Sequence, residues 1–225
     1  MPGFGERSVS TRVKLAIALA FSAIVAPMIN FGPPTTNLTQ FFPLLLTETL
    51  SGFLIGIGIR LFTMALQTAG AIAAQSTSLS QLLGGAVAEP LAAIGYILTM
   101  GAIALSMIAG LHVKATTAII LSYDILPIGM LVTGPQIAEW GVQKTTSAFQ
   151  LAFVLAAPFI LVSVLYNLAL GAINKAMPQL MVAFVGAPLI TFGGIFLLFI
   201  STPFLLSTWI NALDAFLVMP FGDIQ

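Results

Sequence analysis

The stretch from Phe149 to Ile200 reads FQLAFVLAAPFILVSVLYNLALGAINKAMPQLMVAFVGAPLITFGGIFLLFI and carries one charged side chain, Lys175. Apolar runs flank NKAMPQ on both sides, from Phe149 to Ile173 and from Leu180 to Ile210. Each exceeds the roughly 18–20 residues a helix needs to cross a hydrocarbon core. Two such runs joined by a lysine, a proline and a glutamine read as a helical hairpin. Asn174 and Lys175 close the first helix, where a cation suits the dipole. Met177-Pro178 cannot continue that helix without losing a hydrogen bond, so Pro178 admits the next one.

The rest of the chain has the same character. Its 225 residues are 59% hydrophobic and 6% charged, with a mean hydropathy of +1.09, whereas soluble domains carry about 25% charged residues. Further apolar segments run from Leu15 to Ile29, Phe41 to Ala74, Leu91 to Leu111 and Ala115 to Leu131, making about six in all. FGPPTTN (Phe31 to Asn37), GGAVAEP (Gly84 to Pro90), LPIG (Leu126 to Gly129) and TGP (Thr133 to Pro135) mark turns between them. The runs are apolar on every side rather than alternating, which argues against a membrane barrel. The expected fold is an all-α polytopic helical membrane protein, a bundle of hairpins forming one domain over residues 1–225. The second and last segments are long enough to be kinked or split, and Pro158, Pro188, Gly193, Gly194 and Pro203 are candidate kinks.

Several function classes are closed. Seven basic and seven acidic residues balance, so no basic groove for nucleic acid exists. Without cysteine the chain has no disulfide, thiolate metal site or catalytic thiol. A lone histidine, His112, with no HExxH, no GxSxG and no phosphate-binding glycine loop, leaves no catalytic or metal inventory and no cofactor to expect. Arg7, Arg12 and Lys14 ahead of LAIALAFSAIVAP mimic a secretory signal, but the segment is read as a retained first helix with its basic end in the cytoplasm. Simple alternation of the loops then puts Lys144 inside and Lys114 and Lys175 outside.

Polar groups inside apolar runs are the next clue. Glu48, Gly52, Gly56 and Arg60 fall at successive i+4 positions on one helical stripe. The two glycines permit close approach of another backbone, and the two charges, about 18 Å apart along a helix, each need a partner elsewhere. The stripe docks either on other subunits or within its own bundle. Gln75 to Gln81, QSTSLSQ, suits a re-entrant, water-facing segment or a surface loop.

Two blocks are more specific. NLALGAINKAMPQLMVAFVGAPLITFGG, Asn167 to Gly194, contains Asn167, Gly171, Lys175, Pro178, Gln179, Gly186 and Pro188 in the order found in the FliR-type export-gate family and its virulence counterparts. GLHVKATTAIILSYDILPIG, Gly110 to Gly129, resembles that family's histidine turn and its helix ending in Ser122, Tyr123, Pro127 and Gly129. PGFGERSVSTRVKLAIALAFSAIVAP, Pro2 to Pro27, is similar to a third, weaker block. The chain looks N-terminally shortened by one apolar helix against the family, and Leu111 replaces a common glycine before His112.

The resemblance implies a non-enzymatic subunit of a type III protein export gate in the bacterial inner membrane. It would assemble with FliP-like and FliQ-like subunits, and with FlhB-like and FlhA-like components, to pass unfolded flagellar substrates needed for the flagellum and its basal body. It would also place the Lys175 turn near the cytoplasmic face, opposite to the loop alternation. The loop from Ser106 through Met107, Ile108, Ala109 and Gly110 to Leu111 would help plug the closed pore. Flexible Met107 and bulky Ile108 beside Gly110 suit a seal that rearranges. The alternatives are an injectisome subunit and a small-solute transporter.

Overall fold

The computed structural model describes residues 2–5, 9–29, 38–78, 91–177 and 182–222. Among them, every regular element is helical. α1 is Thr11–Val25, followed by a 3-10 turn at Ala26–Met28; α2 is Leu38–Ser78, α3 Leu91–Ile108, α4 Leu111–Ile125, α5 Gly134–Ala176 and α6 Val182–Val218. Four helices are long and apolar enough to cross a membrane. A fifth span is possible if α3 and α4, which meet at a 73° bend, count as one. The chain is an all-α polytopic membrane protein.

The helix boundaries refine the sequence reading at three places. α2 and α6 are not split: each runs continuously through its prolines, Pro43 in α2 and Pro188 and Pro203 in α6. α4 stops at Ile125 rather than Leu131, because Pro127 disfavours helical backbone at Leu126, which leaves the helix at φ −118, ψ 83. α5 starts at Gly134, well before the apolar run at Phe149. Gln136 supplies one half of a capping box at its start: its side-chain oxygen accepts from Thr133 N–H at 3.1 Å and from the Thr133 hydroxyl at 2.7 Å. TGPQ is thus a helix start, not only a turn.

Many serine and threonine hydroxyls along the helices bond to the carbonyl three or four residues earlier, as apolar surroundings favour. Thr99 donates to the Gly95 carbonyl at 2.7 Å and Ser122 to that of Ile119 at 2.6 Å. The chain divides into two compact units, both cut through the long helices.

The first unit comprises residues 1–63, 103–147 and 210–225. Its core centres on Trp140, Leu213 and Phe221, all essentially inaccessible to solvent. The Trp140 indole N–H donates to the Pro220 carbonyl at 2.9 Å, and its ring lies 6.2 Å from that of Phe221. The segment after α6 is thereby fastened to the start of α5. Phe216 packs on Phe62 with centroids 5.4 Å apart, over Gly58, where a side chain would overlap the ring. α1 packs along α4 through a narrow stripe ending in buried Val25.

The second unit comprises residues 64–102 and 148–209, and only two of the chain's charged residues, Glu89 and Lys175, fall in it. α2 and α3 cross at Gly70 and Gly95, where a Cβ on Gly70 would overlap the Gly95 backbone. Small residues here let the helix backbones touch, which is how association proceeds where burial from water gives no drive. Leu66, Ala73, Leu98, Leu155, Ala156 and Phe159 fill the core around that crossing.

Candidate functional site

The segment Ser106 to Leu111 is not a loop. Ser106, Met107 and Ile108 complete the last turn of α3, and Ala109 and Gly110 alone make the corner into α4. Ala109 N–H still bonds to the Leu105 carbonyl at 2.8 Å and Gly110 N–H to that of Met107 at 3.2 Å. The Gly110 carbonyl in turn accepts from Val113 and Lys114 N–H, the first bonds of α4. One residue therefore ends one helix and begins the next, and it does so at φ +74, a region that glycine enters without strain.

Burial alternates sharply around this corner. Ser106 and Leu111 are buried anchors, whereas Met107 is partly exposed and Ile108 is 85% exposed, the barest large apolar side chain among the described residues. Behind the corner, the N-terminal turn at Gly3 (φ +78) brings its backbone against the side chains of Ile103 and Met107. His112 sits exposed in the first turn of α4.

α4 is gripped at both ends. Near its start, the Lys114 ammonium donates to Asp214 Oδ2 of α6 at 2.6 Å, with about a third of each side chain exposed. At its far end, Glu48 of α2 takes both available donors: Tyr123 O–H at 2.8 Å on Oε2 and Gly129 N–H at 3.2 Å on Oε1. Gly129 adopts φ +80 in a turn closed by Met130 N–H to the Pro127 carbonyl, the position that calls for glycine. Leu44 packs so closely on it that a Cβ would overlap the leucine. The partner that Glu48 needs thus lies within its own chain.

The other three residues of the stripe face outward. A Cβ built on Gly52 or Gly56 meets no atom within 4 Å, and Arg60 is exposed and makes no ion pair among the described residues. The stripe is therefore divided: its acidic end is spent inside the bundle and its small-residue and basic part is bare.

The hairpin block is placed partly. Asn174 and Lys175 lie inside the last turn of α5, which runs to Ala176, and Lys175 is exposed. Pro178 and Gln179 lie outside the described residues. Asn167 donates to Ser163 Oγ at 3.3 Å, and Ser163 donates to the Ser76 carbonyl of α2 at 2.6 Å. Gly186 of α6 is buried against the Tyr166 hydroxyl and Leu170 of α5, while Gly171 has open space beside it and Pro188 is exposed. Of QSTSLSQ, Gln75 to Ser78 continue α2, and Leu79 to Gln81 lie outside the described residues.

Sequence reasoning missed Lys114–Asp214, the Gly70–Gly95 crossing and the Trp140–Pro220 bond. The first and last join residues too far apart in sequence for spacing to reveal them; the second had a signal in the small-residue run TAGA at Thr68 to Ala71.

Comparison with known proteins decides the family. The model for bacterial export proteins, family 1, matches residues 1–216. The chain belongs to this family. As a member of the export family it is similar to the flagellar biosynthetic protein FliR of Caulobacter vibrioides, with 33% identity over 213 residues, covering 93% of this chain and 85% of the relative. The FliR protein of Aquifex aeolicus is 29% identical, covering 96% and 84%. That of Escherichia coli is 30% identical, covering 88% and 76%. Each of these bacterial export proteins bears a flagellar name.

Proposed function

We propose that the chain is the FliR-type subunit of a flagellar protein export gate in the bacterial inner membrane, forming part of the path for unfolded flagellar proteins. The observation that carries this reading is the α3–α4 corner of a bacterial export protein. A glycine with positive φ presents Met107 and Ile108 outward between buried Ser106 and Leu111. A bare, branched apolar tip beside a two-residue glycine corner has the shape of a seal that could admit an extended chain. Its work is steric and needs no catalytic group. The flagellar names of the relatives favour a flagellar gate over an injectisome gate.

In this reading the bare stripe of Gly52, Gly56 and Arg60 receives helices of FliP-like or FliQ-like partners. The two glycines allow backbone approach, and an arginine in an apolar helix with no ion pair among the described residues belongs against protein or water rather than lipid. Replacing residues 106–111 by a Gly/Ser linker in the assembled gate should make the inner membrane leak small ions while assembly persists. Unchanged permeability would remove the seal from this proposal. Failure of the intact chain to restore motility to a strain lacking its own FliR would count against the flagellar assignment.

A further inference from the structure

We infer that Lys114 and Asp214 are the positioning pair for the α3–α4 corner, a role that rests on the reading of that corner as the seal. The two residues are joined at 2.6 Å across α4 and α6. Lys114 is placed to act on the corner because its own N–H bonds to the Gly110 carbonyl at 3.1 Å. Its backbone thus holds the hinge residue while its side chain holds α6. No other described charged pair connects α4 to the rest of its unit.

Two features make this a joint rather than a weld. About a third of each side chain is exposed, so solvent screens the pair and it adds little to global stability. Asp214 Oδ1, in contrast, is buried and has no hydrogen-bond donor among the described residues. Lys114 is thus the one described partner of this carboxylate, and losing it would leave the charge uncompensated. The pair therefore directs α4 through a single bond. The Glu48 bonds at Tyr123 and Gly129 hold the opposite end of α4 independently of it.

The chain lacks cysteine, so a nitroxide can be attached at Ile108→Cys, and in a second sample at Val142→Cys, an exposed position on α5. Full-length protein in lipid nanodiscs is compared with Asp214→Asn and Lys114→Gln variants, made in parallel so that the comparison does not hang on one variant folding. The expected result is a rise in the mobile fraction at position 108 in both variants. Position 142 and the thermal midpoint should be unchanged, and the exchanged pair Lys114→Asp with Asp214→Lys should return the spectrum toward that of the parent. An unchanged spectrum at 108 in both variants, or equal loosening at 108 and 142, would overturn the inference. The linker experiment is independent: a tight membrane with the linker, together with a responsive label at 108, rejects the seal and leaves only the coupling of the pair to the corner.

Discussion

The Tyr166 hydroxyl of α5 lies so close to the Cα of Gly186 in α6 that any side chain at 186 would overlap it. That hydroxyl is buried without a hydrogen-bond partner, so the contact is one of shape alone. Gly186→Ala should destabilise the α5–α6 hairpin by about 1–3 kcal/mol. Tyr166→Phe should be neutral or stabilising, because it removes a buried hydroxyl that has no partner. The double variant should recover part of the alanine loss. Thermal unfolding of the purified protein in one detergent checks all three; a Gly186→Ala midpoint equal to the parent's would contradict the packing.

The two corner glycines with positive φ offer a graded comparison. Gly110 has open space around it, and Gly129 has Leu44 against it. Gly110→Ala carries only backbone strain, about 1–2 kcal/mol. Gly129→Ala adds overlap with Leu44, for a total of about 2–4 kcal/mol. Calorimetric midpoints should fall in that order, and a reversed order would show that the turn at 127–130 yields more easily than its packing suggests.

Glu48 should behave as the hub of two bonds. Glu48→Ala strands the Tyr123 hydroxyl and the Gly129 N–H together, at a loss of about 1–3 kcal/mol. Tyr123→Phe removes one bond and should be milder. The double variant should fall short of the sum of the singles, and strict additivity in a denaturation cycle would mean the two residues do not interact.

Glycines two residues apart on α2 should have opposite phenotypes. Gly58 is covered by Phe216 and Gly56 by none of the described residues. Gly58→Leu should lower the thermal midpoint of the isolated protein, whereas Gly56→Leu should leave it intact and reduce recovery of partner subunits on co-purification. Full recovery with Gly56→Leu would count against a docking role for that face.

Much of this architecture was legible from local chemistry. A hairpin about NKAMPQ was suggested by a lysine and a proline between apolar runs; α5 and α6 pack together at Tyr166, Leu170 and Gly186, while Pro178 and Gln179 of the turn lie outside the described residues. The first turns of α5 were not, because hydropathy is silent where a helix buries one residue in several; Trp140 is buried among exposed Glu139 and Val142. The cap Thr133–Gln136 was a readable signal that apolar runs overshadowed. Glu48 was recognisable as needing a partner, but Tyr123 lies 75 residues away, a separation no periodicity spans. The same limit hid Lys114 and Asp214.

The grip at the far end of α4 has a mechanical consequence. With Glu48 holding Tyr123 and Gly129, any tilt of the helix would pivot at that end, and its 15 residues form an arm of roughly 22 Å. A swing of about 10° on such an arm carries the opposite tip roughly 4 Å, close to the width of a methyl group. Ala109 and Gly110 join that tip, Leu111, to the end of α3, so a tilt of α4 would be taken up at these two residues, over about the size of a single side chain, before it displaced Ile108.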